Sequence, residues 1–147
     1  PQNTADVILS DGALHHITEL DDAMDSLARI AKSGAFLVAR EPQNGNPLVQ
    51  LMRRIRGIVD PSYSREQVFF RESDLQSLFV SHGMTDWAVR FQGFLVPPFA
   101  QVVMHPQALT VRLSQLAISI DRWLNAHLPE PLQLLSFNIV IIGRFPE

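Results

Sequence analysis

The stretch from Ala5 to Glu41 most constrains the fold, because its apolar pattern switches from strand spacing to helix spacing and back. Asp6-Val7-Ile8-Leu9-Ser10 is a short β-branched run that ends abruptly at Asp11-Gly12, and Leu14-His15-His16-Ile17 follows at once. Over Asp21–Lys32, Leu20, Ala23, Met24, Leu27, Ala28 and Ala31 recur at i, i+3, i+4 spacing, which predicts an amphipathic helix. Asp21, Asp22 and Asp25 near its start and Lys32 near its end suit the helix dipole, and Gly34 is the expected left-handed residue beyond it. Ala35-Phe36-Leu37-Val38-Ala39 then reads as a second strand that delivers Arg40 and Glu41 into a loop. Two strands joined by a helical crossover lie parallel, so their carboxyl ends share one edge of the sheet, where open α/β sheets bind ligands.

Composition matters less. The 147 residues suit one domain, and 46% hydrophobic with 18% charged residues is ordinary for a soluble protein. A formal net charge of −3 gives no electrostatic reason to expect nucleic acid as a partner. The absence of cysteine removes disulfides and thiolate metal sites and fits a cytoplasmic location. The most apolar stretches, Phe94–Met104 and Leu132–Ile142, fall short of the ~20 residues a spanning helix needs, so no membrane is expected. The chain opens on Pro1-Gln2-Asn3-Thr4, without initiator Met or signal peptide, and enters a hydrophobic strand almost immediately. It reads as a piece of something longer.

Further along, Pro42-Gln43-Asn44-Gly45-Asn46-Pro47 is dense in turn residues, and Pro47 opens a helix with Leu48, Leu51, Met52 and Ile55 as its apolar face. Arg53, Arg54 and Arg56 near its end suit either a solvated face or anion recognition. Ser73-Asp74-Leu75-Gln76 has the form of a capping box, with Leu75, Leu78 and Phe79 buried behind it and Gly83 as the stop. Met84–Phe91 predicts a third strand with Trp87, Val89 and Phe91 on one face. Gly93–His105 carries Pro97-Pro98 and cannot be a regular central strand, while Leu109–Leu128 reads as helix with Leu113, Leu116, Ala117, Ile120 and Leu124 in register. Leu135–Phe145, apolar on both faces, predicts a strand inside the sheet.

The run Asp6–Ile17, the helix after it, Ala31-Lys32-Ser33-Gly34 and Phe36-Leu37-Val38 resemble the second half of a class I S-adenosylmethionine-dependent methyltransferase. The closest flavour is the small-molecule group with a strand, "LHH" and "K-P-G-G" signature, from which Lys32-Ser33-Gly34-Ala35 departs at two positions while keeping the turn glycine. The resemblance implies an α/β fold: the second half of a Rossmann-like methyltransferase domain over residues 1–147. The sheet would be mixed and mostly parallel, with an antiparallel last strand set between Ala35–Arg40 and Met84–Phe91. A helical insertion or lid would span residues 93–128. The family's glycine-rich loop and ribose-binding acid have no counterpart in these residues.

What the resemblance implies for chemistry is a methyl transfer from S-adenosylmethionine to a small apolar or aromatic molecule, in which the protein aligns donor and acceptor and sometimes supplies a base. Ser10, Asp11, Gly12 and Ala13 then leave the strand where the donor's methionine portion lies, and His15 is the first candidate to face the reaction centre. Glu41 is the second, with bonding to backbone amides of the Pro42–Pro47 loop as its other role. His16, Asn44, Phe94 and Phe99 are candidates for substrate contact, and Phe94, Leu95, Val96, Phe99, Val102, Val103 and Met104 make an apolar cover whose alternative role is core packing or an oligomer contact. The His pair lacks a third ligand at sensible spacing, so no metal is expected. The competing reading is a non-catalytic α/β module that binds a partner or self-associates. Asp6–Ser10, without its neighbour strand, would be an apolar edge with no lysine, proline or bulge to guard it, suited to a homodimer.

Overall fold

The computed structural model describes residues 2–59, 69–96 and 107–147. Along them lie β1 (Ala5–Asp11), a single 3-10 turn (Leu14–His16), α1 (Leu20–Ile30), β2 (Ala31–Pro42) and α2 (Pro47–Val59). Then come α3 (Glu72–Ser81), β3 (Thr85–Gln92), α4 (Gln107–His127), the short α5 (Glu130–Gln133) and β4 (Asn138–Arg144). The four strands form one sheet in the order β1-β2-β4-β3, with β1 parallel to β2 and β4 antiparallel to both its neighbours. The carboxyl ends of β1, β2 and β3 therefore meet along one edge, and the last strand inserts between the second and third as the resemblance implies.

Burial explains that insertion. Ile139 and Ile141 of β4 are wholly buried on one face and Val140 and Ile142 half-buried on the other, a pattern that only an interior strand satisfies. On the packed face Leu37, Ala39, Ile139 and Ile141 meet Met24 of α1 and Leu75 and Phe79 of α3. Each fully buried Leu or Ile there contributes about 1.5–3 kcal/mol of hydrophobic stabilisation. Gly143 lets α3 come close: a Cβ at that position would lie 2.6 and 2.8 Å from the Phe79 ring.

Several boundaries differ from the sequence expectation. α1 stops at Ile30, and Lys32-Ser33-Gly34 belong to β2, where the register with β1 slips between Ala5 and Val7 and Gly34 takes φ +70° inside the irregularity. α3 begins at Glu72, with Arg71 as N-cap and Asp74 accepting the Arg71 N–H at 2.7 Å, so Ser73 is not the cap. β3 has a one-residue bulge between Thr85 and Ala88, with Asp86 at φ +50°. The bulge turns Trp87 out to solvent while Val89 and Phe91 still pack on the core.

The helix faces differ as well. In α2, Leu48, Leu51 and Ile55 are exposed and Val49 is the buried anchor. In α4, Leu116 and Ile120 are exposed, and the buried positions are Ala117 and the charged Asp121. Hydrophobic spacing selects a stripe but cannot say which side of it the sheet will meet.

Candidate functional site at the carboxyl edge of the sheet

Beyond β1 the chain turns sharply. Gly12 adopts φ +60°, a conformation costly for any side-chain-bearing residue, and its N–H donates to the Arg40 carbonyl at 2.8 Å. Asp11 is held from the next strand by a bidentate pair with Arg40, at 2.6 and 2.7 Å. The Oγ of Ser10, buried at the strand end, has no hydrogen-bond partner. Ser10–Ala13 thus form one rigid turn at the edge where ligands bind such sheets.

Glu41, at the end of β2, has no exposed surface, and its carboxylate clamps the next turn. One oxygen accepts the N–H groups of Ala13 (3.2 Å) and Leu14 (2.9 Å); the other accepts the His15 N–H (3.3 Å) and lies 2.8 Å from His15 Nδ1. The four N–H groups offset the several kcal/mol that a buried carboxylate otherwise loses in desolvation. Glu41 therefore serves the turn after β1, not the amides of the Pro42–Pro47 loop. The shortest of these contacts is the one to the His15 ring, which an ionised carboxylate makes as acceptor from an Nδ1–H. Nε2 has no partner among the described residues.

His15 is 8% exposed, and His16, exposed, lies against it with ring centroids 4.0 Å apart. The Phe69 ring lies near-parallel to His15 with centroids 6.3 Å apart, and the Arg53 guanidinium sits 3.4 Å over Phe69. Of the three arginines in α2, Arg53 is thus brought to the histidines through an aromatic ring.

Asn44 lies in the loop after β2, where its side-chain oxygen and its carbonyl both accept from Gln50 and its N–H donates to the Phe70 carbonyl. Phe94 sits half-buried on the far side of the sheet edge, and Phe99, Val102, Val103 and Met104 lie outside the described residues. Among the described residues no cluster of three His, Asp or Glu could hold a metal, and no helix is long and apolar enough to cross a membrane.

Three features escaped the sequence reading. Asp121, buried in α4, accepts the N–H groups of Phe94 (3.1 Å), Leu95 (2.8 Å) and Val96 (3.0 Å) and pins the start of the insertion. Beside it a hollow of about 240 Å³ opens between Arg40, Asn138, Gln92 and Ile118. Asn46 caps α2 by accepting from Leu48 and Val49, and its amide donates to the Leu135 and Ser136 carbonyls. An Asn directly before a helix-opening proline is a cap signal that could have found it. Gln43, buried alongside, donates to the Leu134 carbonyl at 3.0 Å and accepts from Ser136 Oγ at 2.6 Å; nothing in the local sequence marks that pair.

No protein-family model and no curated protein matches the sequence. Solved structures do match the fold. A SAM-dependent methyltransferase of Thermotoga maritima, named a possible histamine N-methyltransferase, superposes with a TM-score of 0.61 at 16% identity, over 97% of this chain and 57% of its own. A phosphoethanolamine N-methyltransferase of Haemonchus contortus, in complex with S-adenosyl-L-methionine, gives 0.59 at 14% identity, over 100% and 34%. A SAM-dependent methyltransferase of Archaeoglobus fulgidus gives 0.56 at 13% identity, over 98% and 61%. This chain spans about one third to three fifths of the length of these proteins. It has the Rossmann-like fold of the class I S-adenosylmethionine-dependent methyltransferases, in the strand arrangement of their second half.

Proposed function

We propose that this chain supplies the acceptor-facing half of a cytoplasmic S-adenosylmethionine-dependent methyltransferase that acts on a small apolar or aromatic molecule. The observation that carries this reading is the buried Glu41 clamp, which holds His15 beside the Gly12 turn at the carboxyl edge of the sheet. Ser10, Asp11, Gly12 and Ala13 would hold the methionine end of the cofactor. The orphaned Ser10 Oγ suits a polar group there, while Arg40 holds the Asp11 carboxylate in place beside it. When bound, the cofactor supplies an electrophilic methyl group on a sulfonium sulfur. His15 and His16 would line the acceptor side, with Phe94 contributing to an apolar wall and Asn44 acting through its loop.

These 147 residues alone should bind S-adenosylmethionine weakly or not at all, since the glycine-rich loop and ribose acid of similar enzymes have no counterpart in them. Calorimetry that returned micromolar affinity would contradict this. In the polypeptide at its natural length, Asp11→Ala should weaken cofactor binding, whereas His15→Ala should lower turnover more than it weakens that binding. Unchanged kinetics in both variants would refute the assignment.

The exposed edge favours a second reading, self-association. β1 pairs only with β2 among the described residues, leaving Val7 (54%) and Leu9 (75%) in solvent. Its first residues are better guarded than the sequence suggests, because Lys32 reaches both Asp6 oxygens at 2.8 Å and the register slips there. Light scattering on the isolated chain should report dimers or larger species that Leu9→Lys reduces. A clean monomer at high concentration would remove this reading.

A further inference from the structure

We infer that the outer side of α4 is a self-association surface, on which this helix pairs antiparallel with α4 of a second copy of the chain. The inference does not depend on the methyltransferase reading. The surface is also separate from the open β1 edge, since α4 packs beside β3 at the opposite end of the sheet.

α4 carries two apolar stripes where a surface helix needs one. The first turns inward: Ala117 and Asp121 are buried, Ser114 and Leu124 are half-buried, and Ile118 and Asn125 line the hollow beside Arg40. The second comprises Leu109, Leu113, Leu116, Ile120, Trp123 and His127. Its steps of four, three, four, three and four residues are those of a coiled-coil seam. With 3.6 residues per turn the centre of this stripe lies about 120° around the helix from the inward one, so it does not face the same hollow. Exposure follows that geometry. Leu109, Leu116 and Trp123, in the outermost row, are 47%, 57% and 60% exposed, whereas Ile120, nearer the body, is 38% exposed and Leu113 half-buried. The His127 ring stacks on Trp123 with centroids 5.0 Å apart and prolongs the stripe.

The symmetry of the spacing selects a second copy as the occupant. The order of steps reads the same in both directions, so the stripe fits itself about a two-fold axis, as an isologous contact requires. In that register Leu109 meets His127, Leu113 meets Trp123 and Leu116 meets Ile120, and each pair occurs twice. Every ring is thereby set against an aliphatic side chain, whereas a parallel pair would set Trp123 on Trp123 and His127 on His127. Arg112 and Arg122, the exposed cations of the helix, fall opposite Leu124 and Ser114, so no like charges meet. The exposed parts of the six side chains amount to about 500 Å² per chain and about 1,000 Å² for the pair, at the low end for a specific interface, which makes the dimer a reversible one.

The test is sedimentation of the natural-length polypeptide with increasing concentration, which should show a reversible monomer–dimer equilibrium. Leu116→Glu and Ile120→Lys, each at an exposed site and each checked for folding by circular dichroism, should weaken dimerisation about 10-fold or more, because each sets a charge against an apolar side chain in the seam. Mixing the two variants in equal amounts should recover about 10-fold over either alone, because the antiparallel register brings the two new charges together in one layer. Leu9→Lys, on the β1 edge, should change the equilibrium by less than about twofold. A monomer at every concentration overturns the inference, as does a dimer that Leu9→Lys abolishes and Leu116→Glu leaves intact. Loss of the dimer in both single variants without recovery on mixing overturns the antiparallel register, and with it a second α4 as the occupant.

Discussion

The two faces of the sheet are built from the same kinds of residue and reach opposite outcomes. On one, Leu37, Ala39, Ile139 and Ile141 are closed over by α1 and α3. On the other, Val7, Leu9 and Phe36 are exposed, and Val38, Val140 and Ile142 are half-buried. Strand alternation places these sets back to back, so the difference comes from which helices arrive and not from the strands themselves. Hydrophobic side chains are therefore a poor guide to where the stability of this chain resides.

Ile141→Ala on the packed face should have the largest effect, about 2–5 kcal/mol in urea unfolding, because a fully buried side chain leaves a cavity behind. Gly143→Ala should follow at about 1–3 kcal/mol, since the new methyl overlaps the Phe79 ring. Phe79→Leu in the same chain should recover part of that loss, a coupling that a double-mutant cycle reads directly. Asn46→Ala should cost about 0.5–2 kcal/mol, because it removes the α2 cap and the ties to residues 135 and 136 together. The smallest effect belongs to the open face, where Leu9→Ala should stay within about 0.5 kcal/mol. Equal costs for Leu9→Ala and Ile141→Ala would break the comparison and mean that the open face is covered in solution.

The carboxyl edge carries a similar contrast between two loops. Glu41 and Asp121 are both buried, and each accepts three consecutive N–H groups of a loop that leaves a parallel strand. Only the first also engages a histidine. The first loop can thus present a titratable ring, while the second can hold a wall in place.

Local sequence determined the strand–turn–helix–strand unit, the helix opened by Pro47 and the doubly apolar last strand, because those depend on spacing and backbone preference along a few residues. The turn glycines were legible for the same reason. The tertiary structure alone decided the rest. The bulge that ejects Trp87, the outward face of α2, the carboxylate of Glu41 reaching back some 27 residues to Leu14 and that of Asp121 reaching Leu95 all depend on partners distant in sequence. A buried carboxylate is stable only where several N–H donors converge on it, and such convergence is a property of the packed chain that no local pattern encodes.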